Sequence, residues 1–85
     1  MKRIERIRDR LVRLSYTITK EDILKNRTIG FTANEVGSEL GVVRNNAASD
    51  LNELVKLGFA LKITGKPVRF LSRKEIERII GNKIN

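Results

Sequence analysis

The chain has 85 residues, which we expect to form a single domain over residues 1–85, and 18 lysine and arginine residues against 10 acidic residues give it a net charge of +8. It contains no cysteine and no histidine, which excludes disulfides, thiolate zinc sites and the most common general base of enzymes. The excess positive charge instead favours a polyanionic partner, and we expect no cofactor.

The first predicted element is an amphipathic helix over residues 2–14. Its apolar side chains recur with helical spacing, at Ile4, Ile7, Leu11, Val12 and Leu14. The basic face of this helix would also suit an anionic membrane surface, but it mixes both signs of charge and the apolar face lacks aromatic anchors. We therefore interpret it as a core helix whose charged face is solvated.

A short second helix is predicted to begin after Thr19 and to end at Asn26. Threonine is a favourable N-cap residue, and the acidic residues that follow Thr19 suit the positive N-terminal end of a helix. Ile23 and Leu24 are both expected to point toward the core.

Two helices joined by a tight turn are predicted over residues 32–40 and 43–57. Thr32 and Glu35 have the spacing of a capping box, and Gly41 stands where helices commonly end in a left-handed residue. The second helix has its apolar residues on one face, at Ala47, Ala48, Leu51, Leu54 and Val55. Two helices connected in this way form a helix-turn-helix.

A β-hairpin is predicted over residues 59–71. Phe59, Leu61 and Ile63 alternate with other side chains and are expected to face inward, and the turn sequence TGKP separates them from the returning strand VRFL. The lysine between Leu61 and Ile63 is expected to point outward.

The last predicted element is a helix over residues 73–80. Ser72 and Glu75 are spaced as a second capping box, and Gly81 follows the helix. The order of elements, in which a helix-turn-helix is followed by a hairpin and a final helix, predicts a winged helix-turn-helix. Such a domain is mainly α with a small β-hairpin and belongs to the α+β class.

The helix over residues 43–57 has an exposed polar face that suits double-stranded DNA. The N-terminal part of a recognition helix contacts bases in the major groove, where arginine pairs with guanine and asparagine with adenine. The residues predicted to contact bases are Arg44, Asn45, Asn46 and Ser49. The alternative is an ordinary polar surface, although asparagine is a poor helix former that brings no evident structural gain here.

A second group of polar residues suits the phosphate backbone, which contributes affinity but little sequence information. The residues predicted to contact phosphates are Thr32, Asn52, Lys56, Lys62, Lys66 and Arg69. In the hairpin, the alternative role of such charges is to prevent pairing with other sheets. The two roles are compatible.

The segments FTANEV, SDLNEL and GKPVRFL lie within residues 30–71. They resemble the N-terminal winged helix of LevR-like regulators, which are sigma-54-dependent activators of sugar phosphotransferase operons in Firmicutes. The resemblance implies a larger regulator with an ATPase module and phosphotransferase-responsive regulatory domains, although this chain has no GxxxxGK[ST] sequence. Val42 and Val43 depart from the pattern because serine or threonine usually stands where the second helix begins, and Ser49 stands where arginine is common.

These observations predict a domain that recognises an operator in double-stranded DNA, as part of a bacterial transcription regulator. We expect it in the cytoplasm at the nucleoid, because no segment approaches the ~20 apolar residues of a membrane span, and we expect a homodimer on two half-sites. The alternative is a winged helix that mediates protein interaction or dimerisation through the first helix, without sequence-specific DNA recognition. An enzyme is not expected, because neither a pair of catalytic carboxylates nor a glycine-rich phosphate loop is evident.

Overall fold

Helices and a two-stranded hairpin follow one another along the computed structural model, which describes residues 1–84. The elements are α1 (Arg3–Ser15), α2 (Lys20–Leu24), α3 (Ala33–Ser38), α4 (Arg44–Lys56), β1 (Ala60–Ile63), β2 (Arg69–Ser72) and α5 (Arg73–Ile80). The strands pair antiparallel, with Ala60 opposite Ser72 and Ile63 opposite Arg69. This architecture confirms the predicted α+β winged helix. We call residues 60–72 the wing.

Capping residues determine where the first helix of the helix-turn-helix begins and ends. The Thr32 hydroxyl accepts a hydrogen bond from the backbone N–H of Glu35 at 3.1 Å, and the Glu35 carboxylate accepts one from the backbone N–H of Thr32 at 2.9 Å. The predicted capping box is therefore present. Helix α3 ends at Ser38 rather than at residue 40, because residues 39–41 form a turn in which Gly41 has a φ of 68°.

The two helices approach each other closely at Gly37. A Cβ atom at this position would lie 2.6 Å from the backbone oxygen of Val42 and 2.9 Å from the Cβ of Ala47. The carbonyl of Gly37 also accepts hydrogen bonds from the backbone N–H groups of Leu40 and Val42, both at 3.0 Å. The turn between α3 and α4 is therefore packed directly against the α3 backbone.

Two groups of buried apolar side chains form the core, and β2 lies between them. The first group joins α1, α3 and α4 to the wing and includes Ile7, Leu11, Val36, Ala47, Leu51, Leu54 and Phe70. The second group is smaller and contains Ile18, Leu71 and Ile76. Because Phe70 belongs to the first group and Leu71 to the second, β2 is buried on both faces.

The inward face predicted for β1 is wrong for two of the three residues. Phe59 is 48% exposed and Ile63 is 37% exposed, whereas Ala60 is 4% exposed and packs in the first core group. Leu61 is half-buried against the second core group. Alternation in a sequence defines two faces of a strand but does not say which one the helices cover. Here α4 covers the face that carries Ala60.

Helix α2 is shorter than predicted and buries fewer residues. The Thr19 hydroxyl accepts a hydrogen bond from the backbone N–H of Asp22 at 3.1 Å, so Thr19 is the N-cap as expected. The helix ends at Leu24 rather than at Asn26, and Leu24 is 71% exposed, which makes its predicted core position wrong. Side chains of adjacent helical residues point about 100° apart, so this single turn buries only one of Ile23 and Leu24. Ile23 is the one that packs against the core.

Two buried polar side chains connect α1 and α4 to the rest of the fold. The Ser15 hydroxyl is fully buried and accepts a hydrogen bond from the backbone N–H of Ser72 at 2.9 Å. Asp50 is 8% exposed, and its carboxylate accepts hydrogen bonds from Arg3 Nε at 2.7 Å and Nη2 at 2.9 Å. These hydrogen bonds raise the pKa of Arg3 above its ordinary value. Arg3 thus links α1 to α4, although the charged face of this helix was predicted to be solvated.

The capping box predicted before α5 is only half formed. The Ser72 hydroxyl accepts a hydrogen bond from the backbone N–H of Glu75 at 3.5 Å. The reciprocal bond is replaced, because the Ser72 N–H donates to Ser15 and the Glu75 carboxylate accepts from Arg78 Nε at 3.1 Å. Gly81, with a φ of 72°, ends the helix as expected.

Candidate nucleic-acid interface

The outer face of α4 presents the residues predicted to contact bases. Within residues 1–84, their side chains are exposed and take part in no ion pair or side-chain hydrogen bond; they are Arg44, Asn45, Asn46 and Ser49. All four lie in the N-terminal half of the helix. The structure therefore gathers these polar groups on one end of α4 and leaves them available for a ligand.

A cleft separates α4 from the wing and has a volume of about 460 Å³. We call it the wing cleft. Its apolar floor includes Ala33, Ala48, Val68 and Phe70. Five of the residues predicted to contact bases or phosphates line it, namely Thr32, Arg44, Asn52, Lys62 and Lys66. Positive charge from both α4 and the wing thus surrounds a shallow apolar floor.

Asn52 and Lys62 join α4 to the wing across this cleft. Asn52 Nδ2 donates a hydrogen bond to the carbonyl of Ala48 at 3.0 Å, and its Oδ1 accepts one from Lys62 Nζ at 2.9 Å. Both residues were predicted to contact phosphates. In the structure they bind each other, so the ammonium group of Lys62 lies beside α4.

Arg69 lies on the opposite side of the wing from the wing cleft. Its Nη1 donates a hydrogen bond to the carbonyl of Gly30 at 3.2 Å and lies 3.5 Å from Glu35 Oε1. It lines a separate cleft together with Arg27 and Thr28. Arg69 therefore attaches the returning strand to the start of α3, and of the other predicted phosphate contacts only Lys66 borders the same cleft.

Lys56, Lys66 and Thr32 complete the predicted set. Lys56 ends α4 and does not line the wing cleft, whereas Lys66 is exposed at the tip of the wing. In the part of the chain that the structure describes, neither lysine has an ion-pair partner. The Thr32 hydroxyl is engaged in the α3 capping box. Arg27 was not predicted from the sequence; it borders the tip of the wing and forms an ion pair with Asp22 at 3.0 Å.

Glu35 connects the α3 capping box to the wing, and its titration should affect stability. The backbone N–H of Thr32 lowers the pKa of Glu35 below its ordinary value of 4.5, and the Thr32 hydroxyl and the charge of Arg69 lower it further. A lowered pKa means that the ionised carboxylate stabilises the folded state above pH 4.5, and that this contribution is lost as the pH falls through the lowered value.

We expect the Glu35→Gln variant to unfold at a lower temperature than the wild type at neutral pH, and the difference to shrink as the pH falls below 4.5 and through the lowered pKa of Glu35. Glutamine keeps the hydrogen bond to Thr32 but cannot carry the charge. The part of the difference in unfolding temperature that changes with pH therefore reports the ionisation of Glu35. Thermal unfolding followed by circular dichroism at several pH values measures the difference. A difference that stays constant with pH would contradict the role of the charge.

The N-terminus of α4 has an unusual cap. Val43 is the N-cap residue, with an extended backbone and no side-chain hydrogen bond to the helix, as its sequence predicts. The Val43 side chain is 64% exposed. A weakly capped helix end thus lies next to the exposed Arg44 and Asn45.

Neither a membrane span nor a metal centre is found among residues 1–84. Their helices are too short or too polar to cross a bilayer. No three histidine, cysteine, aspartate or glutamate side chains in this range converge as metal ligands.

The chain is similar in sequence to a known transcriptional regulatory protein. Over 84 residues, or 99% of this chain, the sequence is 37% identical to the transcriptional regulatory protein DagR of Salmonella typhimurium (strain 14028s). The chain spans 9% of the length of that relative. No family model matches the chain, and no solved structure matches it. The chain is thus similar, over nearly all of its length, to a small part of a transcriptional regulatory protein.

Proposed function

We propose that this chain is a domain that binds double-stranded DNA within a bacterial transcription regulator. The observation that carries the proposal is the exposed N-terminal half of α4 beside the wing cleft, where Arg44 and Lys66 have no partner among residues 1–84. The net charge of +8 and the similarity to a transcriptional regulatory protein support it.

In this proposal α4 enters the major groove, which is about 12 Å wide and accepts one α-helix. Arg44 then meets guanine, and Asn45 and Asn46 meet adenine, because their side chains match the donor and acceptor patterns of those bases. Ser49, one turn further along the exposed face, completes the base contacts. The absence of intramolecular partners for these side chains within the described range supports the assignment, since no internal bond must break on binding.

The wing then lies along the phosphate backbone. Lys66 at the tip and Lys62 at the side of the wing cleft supply two positive charges, and Thr32, Asn52 and Lys56 are the other proposed phosphate contacts. Arg69 makes a phosphate contact only if it leaves Glu35 and Gly30, because its guanidinium is already bound to them. We therefore rank Arg69 last among the proposed phosphate contacts.

The remainder of the proposal concerns the protein in which this domain acts. The relative is about ten times longer than the matched segment, since the chain spans 9% of it. We propose a regulator of the LevR-like, sigma-54-dependent kind, in which an ATPase module and regulatory domains accompany this domain in the cytoplasm. Dimerisation through such parts would present two recognition helices to two half-sites.

A second candidate function is protein interaction, and an apolar surface favours it. Leu57 is 57% exposed and Phe59 is 48% exposed, and they border a small cleft with Ile4 and Leu54. The Arg8 guanidinium lies 5.2 Å from the centre of the Phe59 ring. The candidate surface thus lies where α1 meets the end of α4, because most of the apolar face of α1 is covered by the core.

The salt dependence of duplex binding tests the proposed function. A preferred sequence is first selected from random duplexes, and binding to it and to random duplex is measured by fluorescence anisotropy. We expect the affinity to fall steeply as the salt concentration rises. Lys66→Ala should lower the affinity for both duplexes alike. It should also reduce the slope of log affinity against log salt concentration by about one unit, since one phosphate contact is lost. The matched control is Lys74→Ala, which removes one exposed charge from α5, outside the wing cleft.

Two outcomes would contradict the proposal. If Lys66→Ala and Lys74→Ala lowered the affinity for DNA equally, the affinity would depend on net charge and not on the position of Lys66. Failure to bind any duplex at about 50 mM salt would exclude DNA binding, and self-association abolished by Phe59→Ser would then favour the second candidate.

A further inference from the structure

Val43 occupies a position where its side chain contributes nothing evident to the fold. At the N-cap of a helix, serine, threonine, aspartate or asparagine binds a free backbone N–H, and the loss of such a cap lowers helix stability. Val43 forms no such bond. Its side chain is also 64% exposed, whereas the adjacent Val42 packs against the first core group. Residues that break a local rule without structural compensation are concentrated at functional sites.

The position of Val43 relative to the proposed base contacts suggests a use for an apolar group. Val43 immediately precedes Arg44 and Asn45 at the end of α4 that would enter the major groove. The apolar feature of that groove is the C5-methyl group of thymine, which small apolar side chains contact. A branched aliphatic side chain fits this feature, and a hydroxyl that is turned inward to cap the helix does not.

We propose that Val43 recognises a thymine through its C5-methyl group, and that the weak cap of α4 is the structural cost of this contact. The inference rests on the proposed DNA-binding function. It adds Val43 to the specificity-determining residues beside Arg44 and Asn45.

Deoxyuridine substitution tests the contact, because uracil differs from thymine only by the missing methyl group. Each thymine of the selected duplex is replaced in turn, and the affinity of the chain is measured by fluorescence anisotropy. At one position in each half-site, we expect deoxyuridine to weaken binding of the wild type about fourfold relative to thymine. This is the effect of losing roughly one buried methyl contact. Val43→Ser should be insensitive to that replacement, and Val43→Ala, whose shorter side chain loses part of the contact, should be less sensitive than the wild type.

The two variants separate recognition from folding. Val43→Ser should raise the midpoint of thermal unfolding by about 4–8 °C through a new cap, while Val43→Ala supplies no capping hydroxyl. Duplex binding in which no thymine is sensitive to deoxyuridine, or in which the variants keep the sensitivity, would overturn the inference and leave the proposed function standing. Absence of duplex binding by the wild type would overturn both.

Discussion

Replacing Arg44 with alanine is expected to weaken binding to the selected duplex by about 1–3 kcal/mol, or roughly 5- to 150-fold, and binding to random duplex much less. Arg44 is the first residue of α4 and lines the wing cleft. Its guanidinium has no partner in residues 1–84, so it is free to form two hydrogen bonds with a guanine. The loss should therefore depend on the sequence of the DNA.

Fluorescence anisotropy with both duplexes measures this effect. The matched control is Arg13→Ala, which removes the same charge from an exposed position of α1. Equal losses of affinity on the selected and random duplexes would indicate that Arg44 contacts phosphate rather than a base. In a selection from random duplexes, Arg44→Ala should lose its preference at one base pair of each half-site.

Replacing Gly37 with alanine should destabilise the fold by about 1–3 kcal/mol, the usual cost of adding a methyl group to a tightly packed position. The new Cβ would lie 2.6 Å from the backbone oxygen of Val42 and 2.9 Å from the Cβ of Ala47, so neither neighbour is a flexible side-chain end. The turn between α3 and α4 must shift to accommodate it. Because α4 carries the proposed base contacts, affinity for the selected duplex should fall as well.

Chemical denaturation measures the stability of this variant. Ser38→Ala is the control, because Ser38 is the exposed next residue of α3 and has the same helical environment without the close approach. Alanine has a higher helix propensity than glycine by about 1 kcal/mol. If Gly37→Ala were as stable as the wild type or more stable, the close contact at Gly37 would be adaptable. It would then not determine how α3 packs against α4.

Local chemistry in the sequence was sufficient to locate several parts of the site. The α3 capping box depends on two residues three positions apart, Thr32 and Glu35, and the weak cap of α4 depends on Val43 alone. The exposed face of α4 follows from the 3.6-residue period of its apolar positions. Because these features depend on neighbours along the chain, they were predicted correctly.

Contacts between distant residues were not predicted. Asn52 bonds to Lys62 across the wing cleft, Arg69 pairs with Glu35, and Asp50 is bound by Arg3 near the start of the chain. The sequence shows that these side chains are charged or polar, but any of many partners could satisfy them.

The sequence by itself therefore determined the winged-helix order, the N-caps of α2 and α3 and the residues on the outer face of α4, because capping and periodicity act within a few residues. Only the tertiary structure decided which of the polar residues remain free. It leaves Arg44 and Lys66 unpaired within the described range and binds Lys62 and Arg69 to other elements. The reason is physical: the packing of the wing against α3 and α4 sets the distances between charges that are far apart in the sequence.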